Sequence, residues 1–226
     1  MKILGFIPAR TGSKGIKNKN FVKFNGKPLI LSTINFSKKL KLVTPFVSTN
    51  SSKILNYTKK NSIKFNYMRP PQLSSDKSNI IDAVFHALDW FKKKRIYFDA
   101  VMLLQPTSPI RKKTEINQAI DFFVKKNVDS LASISVMKEH PFECLKLRGN
   151  KWSYLEKNTK EKYGRQSYKD FFYFIDGSFY LSKVNFLKKY KKFVIENKTK
   201  LFKISQYPGI DIDNPIDLKI AELFRK

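Results

Sequence analysis

The amino-acid sequence predicts an α/β protein built on a mostly parallel sheet with helices on both faces. Strand-like and helix-like segments alternate through the first 136 residues. Residues 100–104 form a continuous apolar run bounded by turn residues, which is typical of a central parallel strand buried on both faces. Polar loops rich in glycine or proline follow several predicted strands. Ligands of such sheets bind at the carboxyl ends of the strands, so these loops are the expected functional site.

The first elements follow from local signals. An apolar strand over residues 2–7 leads through a loop to a helix over residues 28–40, which begins with a proline suited to the first helical turn. A strand over residues 45–48 precedes a polar turn that can cap a helix over residues 53–61. Alternation of apolar and polar residues predicts a further strand over residues 63–68.

The middle of the chain continues the alternation. Apolar residues at helical spacing predict a helix around residues 81–91, ahead of the buried strand at 100–104. Thr114 can cap a helix that runs to about residue 126, and residues 130–136 return as a strand.

The sequence after residue 136 predicts a change of architecture. Residues 140–181 contain short β-like pieces and aromatic clusters, which indicate an antiparallel excursion. A strand near residues 201–205, an acidic turn and a helix from about Asn214 follow. We therefore predict one domain over residues 1–226, with an inserted β-rich lobe at about 140–185.

Composition excludes several classes of protein. Hydrophobic residues make up 42% of the chain and aromatic residues 14%, which supplies a core and excludes wholesale disorder. The single cysteine, Cys144, cannot form an internal disulfide. No stretch approaches the ~18–20 apolar residues of a membrane span. We expect a soluble, cytoplasmic protein with no membrane partner.

The net charge of +27 raises the alternative of a basic nucleic-acid-binding module. Only seven of the 45 basic residues are arginine, whose planar guanidinium suits phosphate and base recognition. The lysines are spread along the whole chain. We interpret them mainly as a solvated surface whose field attracts a polyanionic small substrate such as a nucleoside triphosphate, and we expect no nucleic-acid partner.

The loop after the first strand has the composition of a polyphosphate cradle. It reads Pro8-Ala9-Arg10-Thr11-Gly12-Ser13-Lys14-Gly15 and continues to Lys17, Lys19 and Asn20. Its glycines allow close backbone approach to a ligand, and its cations and backbone amides suit phosphate. The spacing is not that of a P-loop or of a Gly-x-Gly-x-x-Gly motif. A merely basic turn is the alternative interpretation.

Three further loops carry polar side chains, and each of them follows a predicted strand. They are Arg69-Pro70-Pro71-Gln72-Leu73-Ser74-Ser75-Asp76, Leu104-Gln105-Pro106-Thr107-Ser108-Pro109-Ile110-Arg111 and Gly209-Ile210-Asp211-Ile212-Asp213. Amide, hydroxyl and guanidinium groups can read a base edge, a ribose or a carboxylate. Acids two residues apart on an extended segment point to the same side and can hold Mg²⁺ against phosphates. The alternative for the acid pair is the N-terminal cap of the last helix.

Taken in order, these motifs resemble the acylneuraminate cytidylyltransferases, which comprise the CMP-sialic acid synthetases and their relatives for legionaminic and pseudaminic acids. The resemblance runs from residue 3 to about 220. The first loop together with Gln105-Pro106-Thr107-Ser108-Pro109 is specific, whereas the acid pair alone is weak. Ser13-Lys14-Gly15 favours the sialic-acid branch over the related Kdo enzymes.

The resemblance implies a Rossmann-like fold of the nucleotide-diphospho-sugar transferase type and a homodimer formed through the 140–185 lobe. The implied reaction joins CTP to a nine-carbon 2-keto sugar acid, giving a CMP-sugar and pyrophosphate. The anomeric hydroxyl would attack the α-phosphorus directly. An enzyme for another nucleotide or another sugar is the nearest alternative.

The resemblance also implies roles for individual residues. The nucleotide would contact Arg10, Gly12, Ser13, Lys14, Lys19, Asn20, Arg69, Asp76 and Ser78. The sugar acid would contact Gln105, Thr107, Ser108, Gln166 and Tyr180. Asp211 and Asp213 would hold Mg²⁺, and the catalytic residues would be Arg10, Lys19, Asp211 and Arg165.

Two positions depart from the family pattern. The family has an Asn-Gly pair with an arginine two residues before it. This chain has Asp176-Gly177 instead, with Phe174 at the position of the arginine. Glu143 stands where the sialic-acid enzymes can offer a lysine. We expect both positions to lie near the sugar, which argues against ordinary N-acetylneuraminate as the substrate and leaves the core reaction unchanged.

Overall fold

Strands and helices alternate along most of the chain in the computed structural model, which describes residues 1–12, 15–156, 171–204 and 209–224. The strands are β1 (Ile3–Pro8), β2 (Lys23–Phe24), β3 (Lys27–Pro28), β4 (Val43–Ser48), β5 (Ala100–Leu103), β6 (Ser130–Val136), β7 (Leu145–Arg148), β8 (Lys151–Tyr154), β9 (Tyr173–Lys183) and β10 (Lys200–Lys203). The α-helices are α1 (Leu29–Ser37), α2 (Ser52–Lys60), α3 (Ile80–Lys93), α4 (Lys113–Lys125), α5 (Val184–Tyr190) and α6 (Pro215–Leu223).

Six strands form one mixed sheet in the order β10-β6-β9-β5-β1-β4. β1 lies parallel to both β4 and β5, and β10 lies parallel to β6. β9 is antiparallel and joins the two parallel groups by pairing with β5 and β6. The predicted α/β class with a mostly parallel sheet is therefore confirmed.

The two faces of the sheet carry separate cores because successive side chains of a strand point to opposite sides. From β1, Ile3 and Ile7 enter the core shared with α1 and α4. Leu4 and Phe6 enter the other core, which contains α3 and Leu187 of α5. Helices thus cover both faces, as the continuous apolar character of β5 predicts.

A third, smaller core fixes the segment that carries the two acids. Ile212 is fully buried together with Ala221 of α6, and both pack with Ile16, Phe24 and Leu29. This contact docks α6 and the residues just before it against the loop that follows β1.

Local capping residues set where two helices begin. Ser51 accepts a hydrogen bond from the backbone N–H of Ile54 and starts α2, as the polar turn predicts. Asn214 and Asp217 form a reciprocal capping box at the start of α6. The expected cap at Thr114 is wrong, since α4 already begins at Lys113 after Lys112.

The predicted strand over residues 63–68 is also wrong. Its alternation has a real cause, because Ile63 and Tyr67 are buried. The backbone, however, meets the sheet only at one bridge between Thr49 and Met68. Alternation of apolar and polar residues indicates which side chains are buried, and it does not require a ladder of backbone hydrogen bonds.

The region predicted as a lobe over residues 140–185 divides in two. Strands β7 and β8 form a separate hairpin, whereas β9 belongs to the main sheet. The hairpin pairs Leu145 with Tyr154 and Leu147 with Trp152. Within the described residues, no helix is long and apolar enough to cross a membrane.

Candidate active site

The four loops identified in the sequence meet at one cavity of about 470 Å³. Pro8 ends β1 and Leu103 ends β5, and both line the cavity, which places it at the carboxyl edge of the sheet. Ten of the predicted site residues line it, namely Arg10, Lys19, Asn20, Arg69, Asp76, Ser78, Gln105, Thr107, Asp211 and Asp213.

The other predicted residues are placed differently. Gly12 has a φ of 82° and lies in a small neighbouring hollow. Ser108 is buried beneath the loop, and Tyr180 lines an adjoining cavity. Four residues lie outside the described part of the chain, namely Ser13, Lys14, Arg165 and Gln166.

Side-chain hydrogen bonds hold the loop after β1 in place. The Asn20 side-chain amide donates to the carbonyl oxygen of Arg10 over 3.1 Å. The side-chain oxygen Oδ1 of Asn50 accepts from the backbone N–H of Thr11 over 2.9 Å, and the side-chain amide nitrogen of Asn50 donates to the Thr11 hydroxyl. Asn50 was not predicted as a site residue, although its position just after β4 could have indicated it.

Gly15 brings this loop against the acid-bearing segment. A Cβ atom at Gly15 would lie only 2.1 Å from the carbonyl oxygen of Asp213. No side chain fits at that distance, so the absence of a side chain at residue 15 permits the contact.

Asp211 and Asp213 are both exposed on the cavity side, with buried Ile212 between them. The backbone N–H of Ile212 donates to the carbonyl oxygen of Thr107 over 2.8 Å, which ties the acids to the loop after β5. Lys19 Nζ lies 2.7 Å from Oδ1 of Asp213. The helix cap belongs to Asn214, so both acids project independently of that role.

Arg10 and Asp76 form an ion pair across the cavity. Asp76 belongs to the same turn as Ser78, whose hydroxyl donates to the carbonyl oxygen of Gln72 and accepts from the backbone N–H of Ser75. The Ser78 hydroxyl therefore shapes the turn that presents Asp76. Ser75 and Asn79 also line the cavity and were not among the predicted residues.

Arg69 forms part of the cavity wall, and its guanidinium is held by hydrogen bonds rather than projecting freely into the cavity. Its guanidinium donates to the hydroxyl and the carbonyl oxygen of Ser48, over 2.9 and 2.5 Å. Burial lowers the pKa of Arg69 to about 10, and Tyr67 opposes that shift. Burial raises the pKa of Tyr67 to about 12, and the Tyr67 hydroxyl shares a 2.8 Å hydrogen bond with Nδ1 of His86.

A second cavity of about 330 Å³ adjoins the first through Gln105 and Asn79, which line both. The lining of this second cavity includes Tyr180, Phe193 and Lys192. Burial raises the pKa of Tyr180, and the negative charges of Asp176 and Asp211 add to the shift. Gln105 therefore stands between a charged cavity and a more apolar one.

Asp176, one of the departures from the family pattern, is turned into the protein. It is buried and accepts hydrogen bonds from the hydroxyls of Ser133 and Ser135, both over 2.6 Å, and from the backbone N–H of Ser178 over 2.9 Å. A Cβ at Gly209 would lie 2.3 Å from the Asp176 Cβ. The oxygens of Asp176 are therefore used inside the fold, and the expectation that this part of the chain lies near the sugar stays a prediction.

Arg111 is likewise turned inward. Its Nε, Nη1 and Nη2 atoms donate respectively to the Ser178 carbonyl over 2.7 Å, the Thr33 hydroxyl over 3.1 Å and the Gln105 carbonyl over 2.7 Å. Burial lowers the pKa of Arg111 to about 9, opposed first by Asp176 and then by Asp211. The interpretation of this guanidinium as a ligand-reading group is therefore replaced by a structural one.

The comparisons with known proteins agree with this site. The family model described as "Cytidylyltransferase" matches residues 4–221. The chain belongs to the cytidylyltransferase family. It is 32% identical over 225 residues to the CMP-N,N'-diacetyllegionaminic acid synthase of Legionella pneumophila. The match covers 98% of this chain and 95% of that relative.

A second relative of this cytidylyltransferase is the N-acylneuraminate cytidylyltransferase of Streptococcus agalactiae, at 29% identity over 224 residues. The match covers 96% of this chain and 52% of that protein, so the chain spans about half of its length. A solved structure of CMP:2-keto-3-deoxy-manno-octonic acid synthetase complexed with CTP has a TM-score of 0.71 at 15% identity, covering 99% of this chain and 98% of the other. That likeness confirms the Rossmann-like fold of the nucleotidyltransferases.

Proposed function

We propose that the protein transfers a cytidylyl group from CTP to a nine-carbon 2-keto sugar acid of the sialic, legionaminic or pseudaminic type. The observation that carries the proposal is the meeting of Arg10, Lys19, Asp211 and Asp213 in one cavity. Two cations and two carboxylates at the carboxyl edge of the sheet suit a triphosphate and its metal. Similarity to a CMP-N,N'-diacetyllegionaminic acid synthase and an N-acylneuraminate cytidylyltransferase supports the substrate class.

In the proposed reaction the anomeric hydroxyl of the sugar acid attacks the α-phosphorus of CTP. A bond forms between that oxygen and phosphorus, the bond to the β-phosphate oxygen breaks, and pyrophosphate leaves as the hydroxyl proton is released. Such a transfer depends on positioning and on stabilising charge rather than on a covalent enzyme intermediate. Arg10 and Lys19 supply positive charge to the phosphates, together with the backbone amides of the loop after β1.

The acid pair fits Mg²⁺ by its chemistry. Asp211 and Asp213 present carboxylate oxygens on one side of an extended segment, and oxygen is the ligand that Mg²⁺ prefers. Among the described residues, no group of three or more His, Cys, Asp or Glu side chains could hold a metal ion, so the proposed Mg²⁺ would take its remaining ligands from phosphate oxygens and water. When bound, Mg²⁺ would neutralise charge on the phosphates of CTP.

The remaining predicted residues are divided between the two substrates. Asn20, Arg69, Asp76 and Ser78 form the side of the cavity proposed for cytidine. Gln105 and Thr107 lie where this cavity meets the second one, which Tyr180 lines. We assign the sugar acid to that junction, because an acceptor there would reach a phosphate held between Lys19 and the acids.

Pyrophosphate release tests the proposal directly. The protein is supplied with Mg²⁺, CTP and, in turn, N-acetylneuraminic, N,N'-diacetyllegionaminic, pseudaminic and Kdo acids. We expect release with one nine-carbon acid, and none when UTP, GTP or ATP replaces CTP. Folded protein that binds no CTP in calorimetry would overturn the proposal, as would tight duplex or single-strand binding unaffected by Asp211→Ala.

We also propose a homodimer that uses the β7–β8 hairpin. Leu145, Leu147, Trp152 and Tyr154 lie on one face of the hairpin and are 53–73% exposed. A second copy of the chain would cover this apolar face. Light scattering should give twice the chain mass, and Trp152→Glu should give the mass of one chain; a monomeric parent protein would overturn the proposal.

A further inference from the structure

Arg111 joins three separate elements that meet below the sugar side of the cavity. Its Nε bonds to Ser178 in β9, its Nη1 to Thr33 in α1, and its Nη2 to Gln105 in the loop after β5. Its guanidinium carbon lies 5.7 Å from the ring centre of Phe36, also in α1. A planar group with donors pointing in three directions suits this place, and the single ammonium of a lysine could not reach all three acceptors.

The bond to Gln105 is the one that bears on the site. Arg111 holds the backbone carbonyl of Gln105 over 2.7 Å, while the Gln105 side chain lies against Gly177. A Cβ at Gly177 would lie 3.2 Å from Gln105 Oε1 and 3.3 Å from Ser108 Oγ, and its φ is +73°. The backbone and the side chain of Gln105 therefore both depend on the contact between the loop and β9.

Gly177 is itself held by the groups on either side of it. Asp176 accepts hydrogen bonds from two serine hydroxyls of β6 and from the backbone of Ser178, whose carbonyl in turn accepts from Arg111. The chain of contacts from β6 to Gln105 thus passes through Asp176, Ser178 and Arg111.

We propose that Arg111 is a positioning residue that fixes Gln105 for the sugar acid and has no direct part in binding the nucleotide. The inference rests on the proposed function. The nucleotide-side residues Arg10, Arg69 and Asp76 are held by other contacts, with each other and with Ser48. Loss of Arg111 should therefore affect one substrate and spare the other.

The test compares Arg111→Lys with Gln105→Ala, the double variant and Phe123→Leu. Phe123 is fully buried on α4, so Phe123→Leu controls for lost stability alone. We expect Arg111→Lys to lower kcat/KM for the sugar acid by about tenfold or more, since a misplaced contact has effects of that order. The dissociation constant for CTP should change by less than about twofold. In the Gln105→Ala background, Arg111→Lys should have little further effect, because coupled residues are not additive.

Two outcomes would overturn the inference. One is an equal change in CTP affinity and in kcat/KM for the acid, and the other is an undiminished effect of Arg111→Lys in the Gln105→Ala background. A parent protein without turnover would instead count against the proposed function. Amide hydrogen exchange then decides the positioning role, since Arg111→Lys should speed exchange at the backbone amides of Gln105, Thr107 and Ser108, and unchanged exchange there would overturn it.

Discussion

Lys19 Nζ lies 2.7 Å from Oδ1 of Asp213, so a proposed phosphate ligand and a proposed metal ligand are already paired with each other. The lysine side chain is only 11% exposed, whereas that of Asp213 is 72% exposed. The pair brings together residues from the loop after β1 and the segment before α6. The ammonium group of Lys19 lies at the Asp213 oxygen that the proposed divalent cation would bind.

Lys19→Met should therefore strengthen binding of a divalent cation to the nucleotide-free protein. The expected gain in Mn²⁺ affinity is about two- to fivefold, because an ion pair with an exposed partner contributes roughly 0–1 kcal/mol. Mn²⁺ titration followed by electron paramagnetic resonance measures it. Lys64→Met, at an exposed lysine, is the matched control and should leave the affinity unchanged. Equal affinity in Lys19→Met and the parent protein would contradict the prediction.

The same Lys19→Met variant should lose turnover, because the cavity then lacks an ammonium group that we propose binds the phosphates. We expect kcat to fall by about 100-fold or more, the size seen when one preorganised electrostatic group is removed. Near-normal turnover in a folded variant would remove Lys19 from the mechanism.

Asp211→Asn should abolish Mg²⁺-dependent activity and leave the fold intact. Asp211 is exposed, so the amide should cost little stability. The check is a titration of pyrophosphate release against Mg²⁺, with circular dichroism to verify folding. An unchanged titration curve would show that Asp211 is not a metal ligand.

Gly15→Ala should disturb both stability and activity. The new Cβ would lie 2.1 Å from the Asp213 carbonyl oxygen, so the loop or the acid segment must move, at a cost of about 1–3 kcal/mol. Gly26→Ala is the control for the steric contact, because a Cβ at Gly26 meets no atom within 4 Å and its cost comes only from the positive φ of Gly26, +74°. It should lower the free energy of unfolding by roughly 1 kcal/mol and retain full activity. Equal activity in the two variants would contradict the expected role of Gly15.

Asp176→Ala should destabilise the sheet strongly. It removes an acceptor of three hydrogen bonds inside the protein, and bonds to a charged group contribute about 1.5–3 kcal/mol each. We expect the free energy of unfolding in urea to fall by roughly 3 kcal/mol or more. Ser135→Ala removes one of these donors and should cost about 1.5–3 kcal/mol. A loss in Asp176→Ala no larger than that in Ser135→Ala would show that the carboxylate is not required.

The sequence was informative where a loop follows a strand. The loops containing Arg10, Gln105 and Asp211 were identified because chemistry-bearing side chains interrupt apolar runs, and in parallel sheets such loops converge. The structure brings all three to one cavity. The direction of Asp176 and Arg111 could not be predicted, since a charged side chain beside a site can face a ligand or the protein interior with the same local pattern.

Long-range pairing was the other property that the sequence left open. β9 lies between β5 and β6 and runs against both, although its aromatic start resembled the lobe before it. Local alternation marks a strand but not its partners. The segment at 63–68 shows the converse, because its side chains alternate in burial and its backbone has only one bridge, through Met68.

The small core around Ile212 has a consequence for how the site is assembled. The contact between Lys19 and Asp213 spans 194 positions in the chain, and α6 docks largely through Ile212 and Ala221. Local opening of this core would carry both acids away from the phosphates while the six-stranded sheet, with its own two cores, stays folded. Because Ile16 of the loop after β1 belongs to the same core, a substitution that loosens α6 would disturb the proposed phosphate ligands and the proposed metal ligands together.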